Sequence, residues 1–200
     1  VSDMLERLYR RFDALADRFD VHPLETIGDA YIAVTNNFDD QAHNHASAMA
    51  RFAIEAVKSA RTVLVDEDDP SKGTVTIRVG LASGPVAATI VGIRHPKYTL
   101  LGDTMNTASR MESSSKPMHI QCTELTSKLI EAQDPDVLMR ARGAVEIKGK
   151  GQMETFWIVG TRNHESSNNS LLGTPHWSSQ SSVHNHSAQA RADAKPDAGL

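Results

Sequence analysis

Large apolar residues return at three- and four-residue steps near the start of the chain: Met4, Leu5, Leu8, Phe12, Leu15 and Phe19. This spacing predicts an amphipathic helix with Arg10, Arg11, Asp13 and Asp17 on its wet side. His22-Pro23 breaks the pattern. The β-formers Tyr31, Ile32 and Val34 then mark residues 24–35 as a strand, bent or paired at Gly28-Asp29. A second helix is expected from Asp39 or Asp40 to Val65, burying Ala46, Met49, Ala50, Ala53, Ile54, Val57 and Leu64. An acidic loop over residues 66–73 precedes a strand over 74–82. Residues 86–92 are apolar and turn-poor, which fits a helix or a buried strand. Residues 98–101 read as a short strand, and Asp103 stands where it can N-cap a helix over 104–113. A strand over 118–121 leads to Thr123, the expected cap of a helix reaching about Ala132. Strands over 137–140, 144–148 and 154–159 complete the pattern. Such alternation predicts an α/β chain, an α+β sandwich whose mixed sheet has helices packed on it.

Composition shifts near residue 162. Residues 163–200 are rich in Ser, Asn, His and Ala and poor in large apolar side chains. They cannot bury enough surface to offset chain entropy, so a domain over 1–161 and a disordered tail over 162–200 are expected. The tail histidines His164, His176, His184 and His186 are irregularly spaced and lack acidic partners, which argues against a metal-binding tract.

With 40% hydrophobic residues in 200, the chain has material for a real core. The net charge of −4 and the absence of a Lys/Arg block argue against a nucleic-acid surface. The one cysteine, Cys122, excludes an intrachain disulfide and fits a reducing compartment. No apolar run reaches membrane-spanning length. The chain opens on Val1 inside a helical pattern, so it reads as a fragment of something longer.

Four short runs carry the chemistry. The first is Glu25-Thr26-Ile27-Gly28-Asp29-Ala30-Tyr31. The second, residues 77–86, runs from Ile77-Arg78-Val79-Gly80 to Pro85-Val86. The third, residues 102–112, contains Asn106-Thr107-Ala108-Ser109-Arg110-Met111-Glu112. The fourth is Ile147-Lys148-Gly149-Lys150-Gly151. Asp29 offers hard oxygen ligands suited to Mg²⁺ or Mn²⁺; its bland reading is a turn aspartate. Glu25 offers two acceptor oxygens, matched to a pair of adjacent donors. Asn106 and Arg110 stand four apart, on one face of a helix. Arg110 brings a planar, permanently charged fork suited to phosphate.

Together the four runs resemble the catalytic domain of class III nucleotide cyclases, guanylate-forming branch, over about residues 1–159. The resemblance implies a nucleotide-cyclase fold with a ferredoxin-like core, and conversion of GTP to cyclic GMP and pyrophosphate. It implies Asp29 as a metal ligand, with two Mg²⁺ or Mn²⁺ ions per site. Glu25 and Thr99 fall at purine-contacting positions, and Arg78 and Lys148 at phosphate-contacting ones. Asn106 corresponds to the ribose-orienting position and Arg110 to the one that stabilises transition-state charge. Lys150 lies on the same side of an extended chain as Lys148 and is not excluded as the triphosphate lysine. Thr99 stands where guanylate-forming relatives mostly carry Cys, and its hydroxyl suits either guanine O6 or adenine N6. Adenylate cyclase activity is therefore the alternative, followed by a non-catalytic dimerising regulatory module. Ala82 and Ser115 are minor departures, replacing a common His and Gly. The family's other metal Asp lies in an upstream strand motif with no counterpart here, which implies truncation and little activity in the fragment itself. The resemblance further implies a homodimer or heterodimer with shared sites. It implies a cytoplasmic-side location, with membrane tethering through upstream sequence left open.

Overall fold

The computed structural model describes residues 1–162; the tail expected over 162–200 lies, apart from Arg162, outside the described residues. Helix α1, Ser2–Phe19, buries Leu8 and Phe12 of the expected stripe together with Ala16, while Met4, Leu5, Leu15 and Phe19 are half-buried. Asp20 ends it in a left-handed conformation, φ 55°. Strands β1 (His22–Ile27) and β2 (Ala30–Val34) form an antiparallel hairpin, Ile27 opposite Ala30. Its two-residue loop has Gly28 at φ +63°, while Asp29 is not at positive φ. Gly in the first loop position suits the right-handed twist of a tight hairpin and aims the next side chain outward.

Helix α2 spans His45–Ala60, shorter at both ends than expected. At its start, Asn36 and Gln41 exchange side-chain and backbone hydrogen bonds, 2.6 and 2.7 Å, and fold residues 36–41 into a loop. Such local side-chain bonds compete with helical ones. At its end, Leu64 bridges Thr74 as an antiparallel pair instead of continuing the helix. Of the strand expected over 74–82, only Val79–Leu81 is regular, as β3. Residues 86–92 give strand β4 (Ala87–Val91), which is mostly exposed, not buried. It pairs only with β5 (Lys97–Leu101), so one of its faces meets no layer of this chain among the described residues.

Helix α3 covers Asp103–Ser113, followed by β6 (Ile120–Thr123) and α4 (Glu124–Gln133). Gly102, not Asp103, is the N-cap of α3, and Asp103 is its first residue. Thr123 does cap α4, accepting from the Thr126 N–H at 3.3 Å. The two strands expected over 137–148 are one, β7 (Val137–Ile147), with register shifts at Leu138/Met139 and Ala141/Gly143. The bulges interrupt alternation without ending the ladder. β8 (Gly151–Thr161) follows.

The main sheet has order β3-β6-β8-β7, with β3 parallel to β6 and the remaining pairs antiparallel. Helix α2 packs on it through Ala50, Ala53, Ile54 and Val57, in one cluster with Leu81, Ile120 and Ile158 of the sheet and Ile130 of α4. The opposite side of α2, Phe52, Ala56 and Ala60, meets Leu8, Phe12 and Ala16 of α1. Small residues along α2 let it lie between these two apolar clusters. Helix α3 crosses directly over β3. A Cβ on Gly80 would come within 2.0 Å of the Glu112 nitrogen, so only glycine fits there.

Candidate active site

Glu25 leaves β1 at a register shift and is 16% exposed. It forms an ion pair with Lys97 of β5, a residue the motifs did not single out. Lys97 and Thr99 are two apart on that strand and therefore share a face. Thr99 is half-buried, and its hydroxyl donates to the Lys97 carbonyl at 3.3 Å. The chain thus brings the two purine candidates onto neighbouring hairpins, joined through a lysine. The signal available in the sequence was only that Lys97 precedes Thr99 by one strand period.

A cavity of about 610 Å³ opens between β2 and β3. Residues 30–33 of β2 and residues 76–81, which run into β3, line its sides, with Phe12, Phe52 and Ala56 among the apolar floor. Among the described residues β2 pairs only with β1 and β3 only with β6, so each keeps one unpaired edge, and both strands line the cavity. Asp29 and Arg78 also line it. Arg78 is exposed and paired through Nε with Glu112 of α3 at 2.8 Å. Asp29 is exposed, and its charge adds to burial in raising the pKa of the Tyr9 phenol. Tyr31, in the same aromatic cluster, is also raised, by burial and by its hydrogen bond to Asp13 at 2.8 Å. Both phenols stay protonated and act as walls.

Asn106 and Arg110 lie elsewhere. Met105, Ala108, Ser109 and Glu112 turn toward the cavity and Thr107 and Met111 are buried, whereas Asn106 is exposed and Arg110 half-buried. Neither Asn106, Arg110, Glu25, Thr99 nor Lys148 lines the cavity. Lys148 is exposed in the β7–β8 turn. Lys150, two residues on, is 22% exposed and its ammonium contacts the Asp103 carboxylate at 2.5 Å. Of the site candidates, Asp29 and Arg78 line the cavity, whereas Glu25, Thr99, Asn106, Arg110 and Lys148 lie away from it.

A divalent ion suits Asp29 chemically, as a hard and accessible oxygen donor. Among the described residues Asp29 belongs to no cluster of three metal-ligating side chains; the one such cluster is Asp20, His22 and Asp39. The residues present therefore fit half of a two-carboxylate site.

Residues 1–160 match the family model described as the adenylate and guanylate cyclase catalytic domain. The chain belongs to that family. Retinal guanylyl cyclase 1 of Bos taurus is 40% identical over 162 residues, which is 81% of this chain and 14% of that protein. The chain thus spans about a seventh of the length of this relative. Among solved structures, the guanylate cyclase domain of RhGC from Catenaria anguillulae in complex with GTP is 37% identical, with TM-score 0.71, over 79% of this chain and 82% of that one. The non-canonical dimeric guanylyl cyclase domain of the RhoGC fusion protein from Blastocladiella emersonii is 34% identical, with TM-score 0.68, over 80% of this chain and 83% of that one. The α+β sandwich is that of cyclase catalytic domains. No helix among the described residues is long and apolar enough to cross a membrane.

Proposed function

We propose that this chain is the catalytic domain of a guanylate cyclase, converting GTP to 3′,5′-cyclic GMP and pyrophosphate. The observation that carries the reading is Glu25, largely buried and turned to the strand that bears Thr99. In this reading the Glu25 carboxylate accepts from guanine N1–H and the 2-amino group, and the Thr99 hydroxyl donates to O6. Adenine would set an acceptor against that carboxylate, at a cost of about 1–3 kcal/mol for the unsatisfied group.

Asn106 orients the ribose so that its 3′-oxygen faces the α-phosphorus. The O3′–P bond forms as the bond from the α-phosphorus to the bridging oxygen breaks. The hydroxyl proton passes to solvent and the electron pair leaves with pyrophosphate. Arg110 meets the charge that develops on the α-phosphate oxygens, a contribution made in the transition state. Lys148 and Arg78 hold the β- and γ-phosphates. Bound Mg²⁺ or Mn²⁺ supplies Lewis acidity at the phosphates and lowers the pKa of the 3′-hydroxyl.

That Asp29 and Arg78 line the cavity and the other candidates do not supports a head-to-tail dimer in which each site takes Asp29 and Arg78 from one copy and the remaining candidates from the other. The β4–β5 hairpin and its loop expose Ile90, Val91, Ile93 and Leu101, an apolar patch suited to such an interface. The cavity between β2 and β3 supports an upstream strand that completes the sheet and brings the second metal carboxylate beside Asp29. A cytoplasmic location, on the side of the GTP pool, accompanies this reading. The test is product analysis on the intact protein with Mn²⁺ and either GTP or ATP. Cyclic GMP from GTP is expected; cyclic AMP as the main product would overturn the assignment.

A further inference from the structure

The turn that carries Lys148 contains only three residues, 148–150, and is closed by the Lys150 N–H bonded to the Ile147 carbonyl at 2.9 Å. Lys150 reaches sideways from it to Asp103, the first residue of α3. Asp103, Asn106 and Arg110 stand at i, i+3 and i+7, one helical face. The start of α3 is itself pinned: the Thr104 hydroxyl donates to the Pro85 carbonyl at 2.8 Å. The turn is thereby tethered to the head of the face that bears Asn106 and Arg110.

We propose that the Asp103–Lys150 ion pair is a positioning clamp. It fixes the β7–β8 turn beside α3 so that Lys148, not Lys150, serves the triphosphate. The inference rests on the GTP reading above. Asp103 is 76% exposed, so the pair is weak as a source of stability. Its consequence is geometric, because it commits one of two neighbouring ammonium groups and leaves the other for phosphate. Asp103 also carries its negative charge at a helix N-terminus, where the helix dipole favours it. Lys150 neutralises that charge where an anionic substrate approaches.

The test uses the intact protein and four variants: D103N, K150Q, K150R and the exchange D103K/K150D. Amide hydrogen exchange at residues 148–150 should quicken about fivefold or more in D103N and K150Q, and stay near the unmutated rate in K150R and the charge exchange. In the same variants the KM for GTP should rise about five- to tenfold with kcat within about twofold, the pattern of lost ground-state binding, and return with K150R. Unchanged exchange in D103N and K150Q would overturn the clamp. So would a fall in KM for D103N, because it would mean that a freed Lys150 binds phosphate and the pair restrains it. If the unmutated protein turns over no GTP, the catalytic reading falls with the KM arm, and the exchange arm still decides whether the pair holds the turn.

Discussion

The Glu25 carboxylate and the Lys97 ammonium are joined across two hairpins, β1–β2 and β4–β5, that share no strand pairing. A carboxylate this buried costs free energy unless a cation faces it. Lys97 supplies that cation and fixes the direction of the base-selecting carboxylate. Lys97→Met should lower kcat/KM for GTP by about 10–100-fold, since it leaves a buried charge unpaired. Lys97→Arg should keep most of the activity, because it retains the charge. Steady-state kinetics on the three proteins decide it; equal values for Met and Arg would mean that the pair does not bear on the base.

The same pair changes how a specificity switch must be built. Glu25→Lys with Thr99→Asp exchanges acceptors for donors at N1 and gives an acceptor opposite N6 of adenine. With Lys97 in place it also sets two ammonium groups against each other. The double substitution alone should therefore lose activity on both nucleotides. Adding Lys97→Gln should move relative kcat/KM toward ATP by a few kcal/mol, about 100-fold. Ratios of cyclic AMP to cyclic GMP report the result. A triple variant that still prefers GTP would show that these side chains do not face the base.

These two predictions rest on a contact that no spacing in the sequence announces. Motifs report which residues recur along the chain, not which hairpins meet in space. Glu25 and Thr99 were legible as candidates, but the lysine between them was not. Helix α1 was legible in its extent and inward side, because Leu8 and Phe12 are buried and the rest of the stripe half-buried; Ala16, also buried, is too small to have stood out. The start of α2 was not, since Asn36 and Gln41 satisfy each other's backbone groups where helical bonds were expected. β7 read as two strands because Gly143, at φ +93°, sits in a bulge that breaks alternation while pairing continues. Lys148 and Lys150 were indistinguishable by alternation, and only the reach of Lys150 to Asp103 separates them.

Gly80 gives a test of the packing that positions the third motif. A Cβ there would meet the Ala108 carbonyl oxygen at 2.5 Å as well as the Glu112 nitrogen at 2.0 Å. Both are helix backbone, so α3 must move as a body. Gly80→Ala should destabilise by about 1–3 kcal/mol. It should also reduce kcat, because Asn106 and Arg110 ride on α3. Thermal unfolding and activity measured together would expose an error: full activity and an unchanged Tm would mean that α3 does not lie against β3.

Asp134 accepts a hydrogen bond from Arg51 Nε at 2.5 Å and joins the end of α4 to α2. That bond, with the Arg51 charge, holds the Asp134 pKa below its ordinary value of 3.8. A carboxylate depressed on folding stabilises the protein above its unfolded pKa, and that stability is lost as pH falls through the folded value. Asp134→Asn should therefore cost about 1.5–3 kcal/mol near pH 7. The difference from the unmutated protein should shrink below about pH 4. Denaturant titrations across that range should show the two curves converging on the acid side; parallel curves would remove the ion pair from the account.

The free edges of β2 and β3 lead to the last prediction. Two strands that line one cavity, each with one unpaired edge among the described residues, can both be satisfied by a single extended segment between them. The cavity floor is apolar, which suits the inward face of such a strand, and Asp29 stands at its wall. Residues 1–162 alone should therefore show little metal-dependent turnover, since one carboxylate cannot grip the ions that a pair would hold. Extending the chain with an upstream strand carrying an aspartate should restore turnover and protect β2 and β3 amides from exchange together. In the extended protein, Asp29→Ala should lower kcat on the order of 100-fold or more, while protection of the strands persists. Robust Mn²⁺-dependent cyclisation by residues 1–162 alone would refute both the vacant strand position and the pairing assigned to Asp29.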